Sequence, residues 1–92
     1  MNRKEKILEL VEYGKKIMPQ KREELEKHWK EHGSELTEER KQQVIIRQIR
    51  NNLTVYAQEQ WIFSTDRTLN GYVMTALQIL RKQARTHDAN VL

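Results

Sequence analysis

The sequence predicts an all-α protein, a small antiparallel bundle of three to four helices. Three observations predict it. Apolar residues recur at helical spacing along the chain, and no segment alternates at period two over strand length. Only three glycines and one proline interrupt the 92 residues. Helix-capping residues stand just before the periodic segments.

The first helix is expected over about 3–17. Asn2 and Glu5 have the spacing of a capping box, with Asn in place of the usual Ser or Thr. Ile7, Leu10, Val11, Gly14, Ile17 and Met18 share one face at about 100° per residue. Gly14 on that face would let a neighbouring backbone come close. Pro19 breaks or kinks the chain and suits the first position of a second helix, about 19–32. Together these form a kinked N-terminal pair. The second member is very polar, with Leu25 and Trp29 its strong apolar positions and Gly33 its natural stop.

Thr37 is a good N-cap, followed by Glu38 and Glu39 where the helix dipole favours acids. The third helix is expected over about 38–63. Ile45, Ile46, Ile49, Leu53, Tyr56, Ala57 and Phe63 form its main stripe. Val44, Val55 and Ile62 form a second stripe, which predicts a central helix with neighbours on both sides. Ser64, Thr65 and Asp66 are three capping residues in a row. The fourth helix, about 66–86, carries Leu69, Val73, Ala76, Leu77, Leu80 and Ala84 on one face. The short turn between the last two helices makes them a long hairpin against which the N-terminal pair packs. Residues 1–92 form one domain, with a frayed tail over 87–92.

A chain of this length buries one modest core. Hydrophobic residues make up 37% and charged residues 33%, and mean hydropathy is -0.91. Pairing with a second copy would relieve that shortage of apolar surface, so a homodimer is expected, with Val44, Val55 and Ile62 as its face. The two tryptophans, three tyrosines and clear periodicity argue against disorder. No cysteine is present, which excludes disulfides, thiolate nucleophiles and Cys-based zinc sites. The N-terminal stretch lacks a signal-peptide apolar run, and no 18 consecutive apolar residues occur. A cytoplasmic protein with no membrane span is expected, and the sequon at Asn52-Leu53-Thr54 reads as chance.

One pentapeptide spells out chemistry. "HWKEH", residues 28–32, matches the H-x-x-E-H pattern of one class of zinc peptidases. Histidines at i and i+4 share a helix face, so His28 and His32 are weak candidates for a metal pair. A peptidase also needs a third ligand, a general base and a cleft. No second motif supplies them, and histidines suit the last turn of a helix before a glycine. Adjacent carboxylates such as Glu23–Glu24 and Glu38–Glu39 diverge on a helix, and the isolated glycines form no phosphate loop. The expectation is therefore no enzyme, no cofactor and no small-molecule substrate.

The charge pattern is more informative. The formal net charge is +4, from 17 basic and 13 acidic residues. No acid occurs from Arg40 to Gln58, nor from Arg67 to His87. Folding the hairpin at residue 65 brings Arg40, Lys41, Arg47, Arg50, Arg81, Lys82 and Arg85 to one end. Such a patch suits phosphates or an acidic protein surface. The leading reading is a non-enzymatic helical interaction or regulatory module that binds another macromolecule as a homodimer. The second is a nucleic-acid-binding accessory protein that holds backbone phosphates with those seven residues.

Overall fold

The computed structural model describes the backbone of residues 1–91 and the side chains of residues 1–83. It contains three helices and, among the described residues, no strand: α1 (Arg3–His32), α2 (Glu38–Gln60) and α3 (Asp66–Val91). Each helix packs against both others. The chain runs up, down and up. Arg3 of α1 lies over the Tyr72 ring near the start of α3, while Lys41 at the start of α2 lies over Trp29 near the end of α1. α1 and α3 are therefore parallel, and α2 runs against both.

The helix starts follow the capping residues. Asn2 Oδ1 accepts the Glu5 amide at 2.8 Å, and Thr37 Oγ1 accepts the Arg40 amide at 3.2 Å. Of the three candidates before α3, Thr65 does the work: its hydroxyl accepts the Thr68 amide at 3.0 Å and its carbonyl the Leu69 amide. Gly33 follows α1 at φ 75°, a backbone region where a side chain would be strained.

Three boundaries differ from expectation. The N-terminal pair is one 30-residue helix running through Pro19. Pro19 removes one backbone donor, that to the Lys15 carbonyl. It is exposed, and so is Lys15, so that carbonyl can be hydrated. Buried Ile17 and half-buried Leu25 and Trp29 hold the helix on both sides of the proline. α2 ends at Gln60 rather than 63. Trp61 adopts an extended backbone and donates its amide to the Ala57 carbonyl at 2.9 Å. This lets Trp61 and Phe63 fold back as half-buried rings. α3 continues to Val91, beyond the expected 86.

The core holds thirteen buried apolar residues and no buried polar one among the described residues. α1 contributes Ile7, Leu10, Val11 and Ile17; α2 contributes Ile45, Ile49, Leu53 and Ala57; α3 contributes Leu69, Val73, Ala76, Leu77 and Leu80. Gly14 is buried because α3 presses on it: a Cβ there would overlap Leu80 Cδ1. Its neighbour is thus a side chain, not a backbone. α2 is no more central than the other two helices. Its second stripe stays open, with Val44 half-buried, Val55 52% exposed and Ile62 98% exposed in the turn after the helix.

Candidate functional site

The structure divides the seven basic residues of the hairpin end. Lys41 turns toward α1: its ammonium lies 5.5 Å from the Trp29 ring centroid and 3.5 Å from Glu38 Oε1. It braces the α1–α2 junction. Arg40 is exposed and donates to Gln43 Oε1 at 3.4 Å. Arg47, Arg50 and Arg81 are exposed. The α2–α3 groove lined by Thr54, Gln58, Asp66 and Asn70 fixes which flanks face each other. By helical spacing from those residues, Arg47 and Arg50 lie on the outer flank of α2 that turns toward α3, and Arg81 on the matching flank of α3. Lys82 falls on the other flank of α3, with Thr75 and Ile79, toward α1. The Arg85 side chain lies outside the described residues. The compact part of the patch is therefore Arg47, Arg50 and Arg81, with Arg40 one end further on.

His28 and His32 share a face, with ring centroids 4.7 Å apart, and both are exposed. Among the described residues, no group of three or more His, Cys, Asp or Glu side chains could hold a metal ion. The H-x-x-E-H pattern thus supplies two histidines on one helix face and no third ligand.

At the opposite end of the molecule, five rings form a chain across the bundle. Tyr13 stacks on Tyr56 at 4.1 Å between centroids. Tyr56 then meets Trp61, Trp61 meets Phe63 and Phe63 meets Tyr72, each edge to face at 5.1–6.5 Å. α1 covers this chain with cations: Lys6 lies near Trp61 and Phe63, and Arg3 over Tyr72. Glu9 Oε1 accepts the Tyr56 hydroxyl at 3.1 Å. The arrangement fastens the start of α1 to the α2–α3 turn.

Partial burial raises the Tyr56 phenol above its ordinary value, and the hydrogen bond and charge of Glu9 raise it further. A raised folded value stabilises the protein fully below the unfolded value of about 10 and is lost as pH climbs through the folded one. Tyr56→Phe is therefore expected to cost about 1 kcal/mol at neutral pH. It should also flatten the fall in stability above about pH 10. Urea unfolding at a series of pH values reads both effects; an identical alkaline slope in the variant would show that the bond is not made.

No family model, curated protein or solved structure matches this chain.

No helix in the described residues is long and apolar enough to cross a membrane. The surface carries three features of note: the exposed Val55 and Ile62, the arginines of the α2–α3 flank, and a groove between α1 and α3. Sequence reasoning missed the groove. Its signal was Leu8, an apolar residue off the α1 stripe.

Proposed function

We propose that the protein is a non-enzymatic helical interaction module that works as a homodimer and acts by occluding or bridging a macromolecular partner. The observation that carries this reading is the exposure of Ile62. An isoleucine 98% open to solvent in a short turn, and a valine 52% open on α2, leave apolar surface that the core does not use. Val44 and Val55 are about three turns apart on one face of α2, and Ile62 follows them. Apolar side chains of this kind suit a two-fold interface, where the same residues meet from both copies. Removing it should leave the fold intact, because neither Val55 nor Ile62 is in the core. Val55→Asp and Ile62→Asp are each expected to halve the mass seen by light scattering, with unchanged helicity by circular dichroism. Variants that keep the wild-type mass would place the interface elsewhere.

A second reading is favoured by one placement. Arg47, Arg50 and Arg81 occupy facing flanks of α2 and α3 in a stretch poor in acids. Arginine forks suit phosphate oxygens, and contacts of this kind hold a duplex without reading its sequence. The anisotropy of a labelled DNA duplex, titrated at two salt concentrations, tests it. Binding whose logarithm falls with salt at a slope of about -3, reduced by about 1 in each single alanine variant, supports three phosphate contacts. A duplex that stays free at low salt rejects them.

A further inference from the structure

The last two turns of α1 carry His28 and His32 with their ring centres 4.7 Å apart. Both are exposed. Among the described residues neither ring makes a hydrogen bond or an ion pair. Histidines near a helix end can donate to its last free carbonyls. These two do not, and they lie against each other instead, so their nitrogens are open to a ligand.

The pair is held in place by the fold. Trp29, beside His28 in the chain, is half-buried, and the Lys41 ammonium lies 5.5 Å from its ring centroid. Leu25, one turn earlier, is half-buried as well. These contacts keep residues 25–32 helical against the bundle, and a helix keeps residues four apart on one face. Two ligands fixed in this way bind an ion as one chelate, because the second bond forms at high effective concentration.

The spacing admits an ion. A tetrahedral ion with metal–nitrogen bonds of about 2.0–2.1 Å holds two imidazole nitrogens about 3.3 Å apart. Rings with centres 4.7 Å apart reach that separation by turning about their own side-chain torsions.

The surrounding charge is mixed, and its nearer part favours a cation. Glu24 and Glu31 are helix neighbours of His28 by their spacing. Glu24 is paired with Lys21 at 3.5 Å, while Glu31 makes no ion pair among the described residues. Glu35 follows in the loop beyond the helix and is exposed. Lys27 and Lys30 oppose a cation, but the same spacing puts them on the far sides of α1. The helix ends at His32, so the negative end of its dipole lies beside the pair.

Among the described residues, no group of three or more metal-ligating side chains forms. An ion held by the two histidines therefore keeps open positions, for water or for a group from another molecule. Magnesium and calcium ions demand oxygen ligands, whereas imidazole suits zinc, copper and nickel. We infer that His28 and His32 chelate one divalent late first-row transition-metal ion at the end of α1. This site is separate from the Val55–Ile62 face and from the arginines of α2 and α3, so each can fail without the others.

Calorimetric titration of the full chain with Zn²⁺, Ni²⁺ and Cu²⁺, in a buffer that does not chelate them, tests the inference. One ion per chain should bind with a Kd on the order of 10 μM. Cu²⁺ should bind tightest, and Mg²⁺ should give no signal. His28→Gln and His32→Gln should each weaken binding at least about tenfold. Both residues are exposed, so the variants should keep the helicity of the wild type. His87, whose side chain lies outside the described residues, supplies a control: His87→Gln should bind like the wild type. A double variant, His32→Gln with Lys30→His, keeps two histidines but takes the second off the shared face, and it should not regain binding. Trp29 gives a second readout, because its fluorescence should fall on addition of Cu²⁺ with the calorimetric midpoint. Absence of heat and quenching at about 1 mM Ni²⁺ or Cu²⁺ would overturn the proposal. So would wild-type affinity in either single variant or in the double variant, or binding that is lost with His87.

Discussion

Gly14→Val is expected to destabilise the bundle by about 2 kcal/mol, against the direction that helix propensity predicts. Valine is a better helix former than glycine by a few tenths of a kcal/mol or more, which alone would stabilise α1 by about 0.5 kcal/mol. The opposing term is larger. The first carbon of any side chain at Gly14 would overlap Leu80 Cδ1, and Leu80 is 2% exposed, so its side chain has nowhere free to swing. Forcing extra carbon into a packed core costs about 1–3 kcal/mol. A partner substitution separates this cause from a general weakness of α1. Leu80→Ala alone should cost about 2–5 kcal/mol through lost burial and a cavity. In the double variant the valine occupies part of the space vacated by Leu80, so the combined loss should fall short of the sum. Urea unfolding of the two single variants and the double variant measures that difference. A sum that is simply additive would mean that the two residues do not meet.

Pro19→Ala is expected to act the other way and raise stability by about 2 kcal/mol, read as a melting temperature higher by about 10 °C. The proline interrupts a 30-residue helix between two stretches that both pack on the bundle. Alanine restores the amide that the Lys15 carbonyl lacks, and it removes the ring from the preceding turn. Pro19 is exposed, so no packing is lost with it. A fall in the melting temperature would show that the proline bends α1 to bring Leu25 and Trp29 onto α2. Straightening the helix would then cost more than the restored hydrogen bond contributes.

The helix count turned on this one residue. Sequence logic places a boundary at a proline because the local penalty is about 3 kcal/mol. It cannot see that Ile17, Leu25 and Trp29 repay more than that by packing, since those contacts are made with residues distant in the chain. The stripes themselves were legible. Ile7, Leu10, Val11 and Ile17, then Ile45, Ile49, Leu53 and Ala57, then Leu69 to Leu80, follow the helical period and are buried as that period requires. Caps at Asn2 and Thr37 were legible for the same local reason.

The surface was harder to read. Grouping seven cations by their height along a hairpin ignores the direction each one takes around its helix. Lys41 points to Trp29 and Lys82 lies on the α1 side, while Arg47, Arg50 and Arg81 remain together. The end of α2 was misplaced because Phe63 fits the helical stripe on paper. In the folded chain the same ring reaches Tyr72 from an extended turn, and that contact exists only once α3 has folded back. The α1–α3 groove needs two helices to exist at all, because Ile7 and Leu8 line it from α1 and Thr75 and Ile79 from α3.

The proposed function rests on the exposed apolar face of α2 being covered by a second copy. Sedimentation equilibrium of the wild-type chain, run over a range of micromolar concentrations, addresses this most directly. The account predicts a mass of twice the 11.1 kDa of one chain, giving way to the single mass on dilution. A mass of 11.1 kDa at every concentration would contradict it, and would leave Val55 and Ile62 open for a different protein.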